Sequence, residues 1–153
     1  MASRNRAAYL RPKIVQDALA LMERELTGRC MLTNPAAVRD YLQLRFGCHP
    51  HEVFSVVFLN TRQQVIDVVE MFRGTVNHAA IYPREIVIEA LQRNASGVIL
   101  THNHPDSDGS PSVEDEVLTH AIKAALALVD IAVLDHLIIT RKEVVSFAER
   151  RLL

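Results

Sequence analysis

The segment Leu-Thr-His-Asn-His-Pro-Asp-Ser-Asp-Gly-Ser-Pro-Ser-Val-Glu-Asp, from Leu100 to Asp115, most constrains what this chain can become. Val98 to Thr101 is a short apolar run rich in β-formers and reads as a buried strand. In an extended chain residues i and i+2 project to one side, so His102 and His104 face together while Asn103 faces away. Pro105 stops the strand, and Asp106 to Pro111 is dense in turn formers, so the chain swings away before regular structure resumes. From Val113 onward Val117, Leu118, Ala121, Ile122, Ala125 and Leu128 keep helical spacing, to about Leu128, and Ser112 with Asp115 three residues later resembles a capping arrangement. Asp115 therefore falls in the first helical turn, beside the strand end. Two neutral imidazoles and one carboxylate suit zinc, whose catalytic sites usually take three protein ligands and keep a fourth position open.

Taken singly, each of these residues has an ordinary explanation. A loop histidine is commonplace, Asp115 is favoured by the positive end of a helix dipole, and Ser112 is a routine N-cap. Their joint spacing is what points to a metal site, with His102, His104 and Asp115 as the ligands.

A chain of 153 residues, 49% hydrophobic and with a formal charge of −1, is long enough for one domain with a real core. Its charges are mixed and no long basic block appears, which argues against general nucleic-acid binding without excluding a local basic patch. Cys30 and Cys48 are too few and too far apart for a zinc or redox motif, so buried free thiols and a reducing compartment are expected. No apolar stretch approaches the length of a membrane span, and Met-Ala-Ser-Arg-Asn-Arg lacks the apolar core of a signal peptide; the expected location is the cytoplasm.

Along the chain, Pro12 to Thr27 carries apolar residues at helical spacing, with Gly28 as a stop; this helix is expected to pack on the domain or to make a homo-oligomer contact. Thr33 or Asn34 caps a second helix with Pro35 near its first turn, running to Gly47. Val53 to Leu59 is so continuously apolar that it predicts a strand buried on both faces, and a short polar turn leads to an antiparallel strand from Val65 to Phe72. A loop from Gly74 to Ala80, a helix from Pro83, the strand and helix already described, a strand from Ile131 to Thr140 and a hairpin strand from Val144 to Phe147 complete the order. The pattern predicts an α/β three-layer or α+β fold, a mixed sheet sandwiched by helices. Residues 1–30 read as an N-terminal helical extension and residues 31–153 as the domain.

The run His102-Asn-His-Pro105, then Ser112 and Asp115, matches at every position the HxHPx6SxxD signature of the JAB1/MPN (JAMM) metalloenzymes. Gly74-Thr75, Pro83-Arg-Glu85, Val98-Ile-Leu-Thr101, Pro111 and Asp135-His136 narrow the resemblance to the RadC family (UPF0758/DUF2466-like), over about residues 31 to 153. Longer members carry an N-terminal helix-hairpin-helix segment missing from this sequence, so the expectation is of a short form to which no DNA contact of that segment carries over. The loop departs locally, with Asp106-Ser107 where the family usually has Ser-Gly and Gly109 where it usually has Pro, but its length is kept.

The resemblance implies a cytidine deaminase-like architecture and one zinc held by His102, His104 and Asp115, with Ser112 close to the fourth ligand position. It also implies a general base, at the position of Glu52, that takes a proton from water and passes it to the leaving amine. Ser112 would donate a hydrogen bond to a developing oxyanion as well as cap the helix. The implied function is a zinc-dependent metallopeptidase or isopeptidase acting on a peptide or protein substrate. The alternatives are a non-catalytic MPN-type interaction module and a DNA-associated RadC-like protein. Contiguous placement of His102-Asn103-His104 argues against a nuclease, whose residues of that name are spread over a ββα unit, and the lack of a Cys-x-x-Cys pair argues against a deaminase. Glu85 reads as a helix-dipole carboxylate, and His136 as a core histidine or a partner standing behind a ligand; His49, His51, His78 and His120 have no spacing that implicates them.

Overall fold

The computed structural model describes residues 11–27, 34–74, 81–105 and 108–153. Its elements are α1 (Lys13–Leu26), α2 (Pro35–Phe46), β1 (Val53–Leu59), β2 (Val65–Arg73), α3 (Pro83–Gln92), β3 (Gly97–Asn103), α4 (Val113–Ala127), β4 (Ala132–Ile139) and β5 (Val144–Ser146). The strands form one mixed sheet in the order β2-β1-β3-β4-β5. β1 runs antiparallel to β2 and β3, β4 runs parallel to β3, and β5 returns antiparallel along β4. The parallel pair requires a crossover, and α4 supplies it.

Helices cover both faces, so the central strands bury both sets of alternating side chains. Val57 and Leu59 of β1 join Leu42 and Phe46 of α2 and Leu26 of α1 in one cluster. Phe54, Val56 and Phe58 of the same strand face Ile86 and Ala90 of α3 and Ile122 and Leu126 of α4 in another. β1 and β3 are accordingly buried along their whole length, as the unbroken apolar run of β1 requires. This is the expected mixed sheet between helices.

Helix starts follow local chemistry. The Asn34 side chain accepts from the Ala37 amide and Pro35 follows at the first helical position, while Pro83 opens α3. α1 packs Leu26, Leu19 and Met22 against the first cluster. The expected stop at Gly28, Thr33 as a cap, Cys30, His78 and most of the Gly74–Ala80 loop lie outside the described residues. No helix among the described residues is long and apolar enough to cross a membrane.

Two differences from the sequence reading bear on the site. β3 extends past Thr101 to Asn103, because β1 pairs with it as far as His102 and β4 as far as Asn103. The ladder, not the apolar run, sets its length. On β4, Leu134 is an extra residue in the pairing, since Val98 pairs with Val133 but Ile99 with Asp135. Such a bulge reverses the inside-outside alternation beyond it. Val133 packs with α3 and α4, Leu134 and Leu137 pack on the opposite face, and His136 is thereby returned to the face that carries His102.

Leu100→Ala, in the centre of the sheet with no exposure, should lower the unfolding free energy by about 2–5 kcal/mol. Leu128→Ala, at a position 87% exposed, should change it by less than about 0.5 kcal/mol. Urea titration of the two variants checks the contrast.

Candidate metal centre

The end of β3 sets the geometry. His102 is its penultimate residue, and His104 continues the extended line because its amide donates to the Ile139 carbonyl at 2.9 Å. Alternation then puts both rings on the α4 side, with their Nε2 atoms 2.9 Å apart. Asp115 reaches them from the first turn of α4, its Oδ1 3.2 Å from His102 Nε2 and its Oδ2 3.6 Å from His104 Nε2. The carboxylate is oriented by the capping box: the Asp115 amide donates to Ser112 Oγ at 3.1 Å, and the Ser112 amide donates back to Asp115 Oδ2 at 2.9 Å. That cap uses a lone pair of the Ser112 oxygen and leaves its hydroxyl hydrogen out of the exchange.

Glu52 arrives from the neighbouring strand. Phe54 pairs with His102 in the antiparallel ladder, so two residues further along the same register Glu52 stands across from His104. One ligand atom each from Glu52, His102 and His104 lie within 4.8 Å of one another, the one group of its kind among the described residues. The Glu52 backbone is clamped on both sides. Val53 N donates to Asn103 Oδ1 at 2.7 Å, Asn103 Nδ2 donates to the His51 carbonyl at 3.0 Å, and Gly74 N donates to the Glu52 carbonyl at 2.9 Å. Asn103 faces away from the metal side, as its position in the strand demands, and from there holds the segment that carries Glu52. Its signal in the sequence was a polar residue inside a buried strand.

Burial divides the cluster. His102 is buried, His104 and Asp115 are half-buried, and Glu52 is exposed. Burial alone would raise the Asp115 carboxyl, but the His102 and His104 rings beside it outweigh that effect and hold the group far below the usual carboxylate range. The hydrogen bond with Asp115 raises His104 above its ordinary 6.5, against an opposing effect of burial. His136, packed behind His102 with its Nε2 2.8 Å from His102 Nδ1, is pushed well below the usual histidine range by burial.

The donor set fits a divalent metal. His104 Nδ1 lies 3.3 Å from the Asp108 carbonyl, which can only accept, so that nitrogen carries the hydrogen and, in the neutral ring, Nε2 is bare. A bare imidazole nitrogen facing a second imidazole and an ionised carboxylate gathers electron density that a cation, or a proton, neutralises. Nitrogen and oxygen donors without thiolate suit zinc and similar first-row ions.

The remaining candidates fall elsewhere. Glu85 sits in the first turn of α3 and pairs with Arg84 at 3.2 Å. Cys48, expected to be buried, is exposed at the end of α2, where no core packing encloses it. His49 and His51 are outside the cluster, and His120 is exposed on α4. His136 is both alternatives read from the sequence at once: a satisfied core histidine whose partner is His102.

The chain is similar to known proteins over most of its length. Residues 32–152 match the RadC-like JAB domain family. A UPF0758 protein of Methylibium petroleiphilum is 52% identical over 139 residues, covering 88% of this chain and 63% of the relative. UPF0758 proteins of Polaromonas sp. and Nitrosomonas eutropha are each 46% identical over 140 residues, covering 92% of this chain and 62% of theirs. The chain thus spans somewhat under two thirds of the length of these curated relatives.

Protons and metal compete for His104 Nε2. Because the metal-free pKa is raised above 6.5, affinity for a divalent metal should begin to fall while the pH is still above 6.5, by about tenfold per pH unit below the raised value. Asp115 stays ionised throughout that range and adds no slope. Chelator competition from mildly alkaline to mildly acid pH measures this. Asn103→Ala leaves the buried Val53 amide without its acceptor and should cost about 1–3 kcal/mol in denaturant titration.

Proposed function

The chain belongs to the RadC-like JAB domain family, and on that footing we propose that it is a zinc-dependent hydrolase of amide or isopeptide bonds in a peptide or protein substrate. The observation that carries the reading is the convergence of one ring nitrogen each of His102 and His104 and a carboxylate oxygen of the exposed Glu52 within 4.8 Å. A closed structural centre takes its ligands from protein on all sides. Here the protein encloses His102, while Glu52 stands on the solvent side.

His102, His104 and Asp115 would hold one zinc per chain. Bound there, zinc acts as a Lewis acid that polarises a carbonyl and lowers the pKa of water towards neutrality. Glu52, exposed and anchored through the Asn103 clamp, would accept a proton from the attacking water and return it to the departing amine. Ser112 would turn its hydroxyl hydrogen towards the carbonyl oxygen as that oxygen gains charge, since the cap occupies only a lone pair. Asp115, held ionised, would balance the positive charge and keep both rings in place.

Zinc titration of the purified protein should find one tight site, lost in His102→Ala and in His104→Ala. A screen of peptides and ubiquitin-like conjugates then supplies a substrate. With it, Glu52→Gln should retain zinc within a few-fold and lose about 10²–10⁴-fold in turnover. An active Glu52→Gln enzyme removes Glu52 as the base, and a protein that takes up no zinc overturns the proposal.

A further inference from the structure

Behind the three ligands stands a second rank of polar groups that this chemistry does not use. His136 on β4 and Thr119 on α4 are both fully buried. His136 Nε2 is 2.8 Å from His102 Nδ1, and His136 Nδ1 is 2.5 Å from Thr119 Oγ1. Thr119 Oγ1 is also 2.6 Å from the Asp115 carbonyl oxygen, one helical turn earlier. The contacts run in one line from the backbone of Asp115 to the ring of His102.

Counting hydrogens gives that line a direction. A carbonyl can only accept, so the single hydroxyl hydrogen of Thr119 goes to Asp115. The Thr119 oxygen is then an acceptor towards His136, whose hydrogen must sit on Nδ1. A neutral ring protonated at Nδ1 has a bare Nε2, and His102 Nδ1 must donate to it. His102 therefore keeps its hydrogen on Nδ1 and presents a bare Nε2 to His104 and Asp115. Among the described residues no carboxylate is hydrogen-bonded to the His136 ring, which packs against Phe54 and Phe147 at ring separations of 5.8 and 4.6 Å, surroundings suited to a neutral imidazole.

We propose that Thr119 and His136 are positioning residues that lock His102 in its metal-binding tautomer and tie its ring to the backbone of Asp115. The purpose of the lock rests on the zinc reading above, whereas the tautomer itself does not. Without the Thr119 hydroxyl nothing holds the hydrogen of His136 on Nδ1, while the ionised Asp115, 3.2 Å from His102 Nε2, draws the hydrogen of His102 to that nitrogen. With its hydrogen on Nε2, His136 donates to His102 Nδ1, the hydrogen of His102 moves to Nε2, and that nitrogen no longer binds a cation.

Thr119→Val keeps the side-chain shape and removes the hydroxyl, while Thr119→Ser keeps the hydroxyl. Long-range proton–nitrogen NMR spectra of the metal-free proteins in mildly alkaline buffer report which ring nitrogen of His102 carries hydrogen, and chelator competition reports zinc affinity. Wild type and Thr119→Ser should show His102 protonated at Nδ1. Thr119→Val should show mixed tautomers and bind zinc roughly 10- to 100-fold more weakly, with its far-ultraviolet circular dichroism unchanged. Wild-type affinity together with an unmixed Nδ1 tautomer in Thr119→Val would falsify the proposal. So would a wild-type His102 protonated at Nε2, a result that needs no variant to fold. A wild type that binds no zinc overturns the proposed function instead, and the tautomer still decides the lock.

Discussion

Strand β3 is hydrogen-bonded along both edges, antiparallel to β1 and parallel to β4, and covered by helices on both faces. A strand held this way cannot slip by one residue without turning every side chain to the wrong layer. That fixed register is what the site depends on. It sends His102 towards α4 and Asn103 towards the opposite face, and it carries Glu52 to the level of His104. The two histidines and Glu52 are thus placed by the central ladder of the sheet, and the start of α4 brings Asp115 beside them.

A polar group buried at the end of such a strand must find a partner or cost about 1–3 kcal/mol. The partners found here are informative. His102 is answered by His136 and Thr119, and Asn103 by the backbone on either side of Glu52. One residue away, Ser55 and Thr101 pair across β1 and β3 with buried hydroxyls for which no hydrogen-bond partner is found among the described residues. Polarity at this end of the sheet is therefore not by itself a site. What distinguishes the His102 side is that its hydrogen bonds all lead towards one point.

How much of this could be read from the sequence follows from the range of each effect. The paired histidines, the stop at Pro105 and the Ser112–Asp115 capping box are local, and strand alternation with helix-cap chemistry was enough to bring them together. Glu52 lies fifty residues earlier in the chain, so no local periodicity could connect it, and it entered only through a family resemblance. Asn103 looked idle because alternation turned it from the ligands, and its role depends on the register between β1 and β3. His136 was obscured by the extra residue at Leu134, since uninterrupted alternation from Val133 would have put Asp135 on the α4 side in its place. A bulge is a tertiary fact with a local consequence, and propensities do not register it.

The position of the site at the start of a helix raises a question of sign. An exposed helix N-terminus carries about half a positive charge and ordinarily attracts anions. A divalent cation beside α4 would meet that field as repulsion. The first turn of α4 answers it with three carboxylates, Glu114, Asp115 and Glu116, of which Asp115 also satisfies the Ser112 amide. Asp115 alone brings a full unit charge beside the two histidine rings against half a charge of opposite sign, so the helix start becomes attractive to a cation. The dipole, in turn, favours the ionised form of Asp115, the form a metal needs. A helix terminus suited to anions thus fits a candidate cation site because the carboxylate of its capping box is also the candidate ligand, and the Ser112–Asp115 box ties the start of α4 to the end of β3.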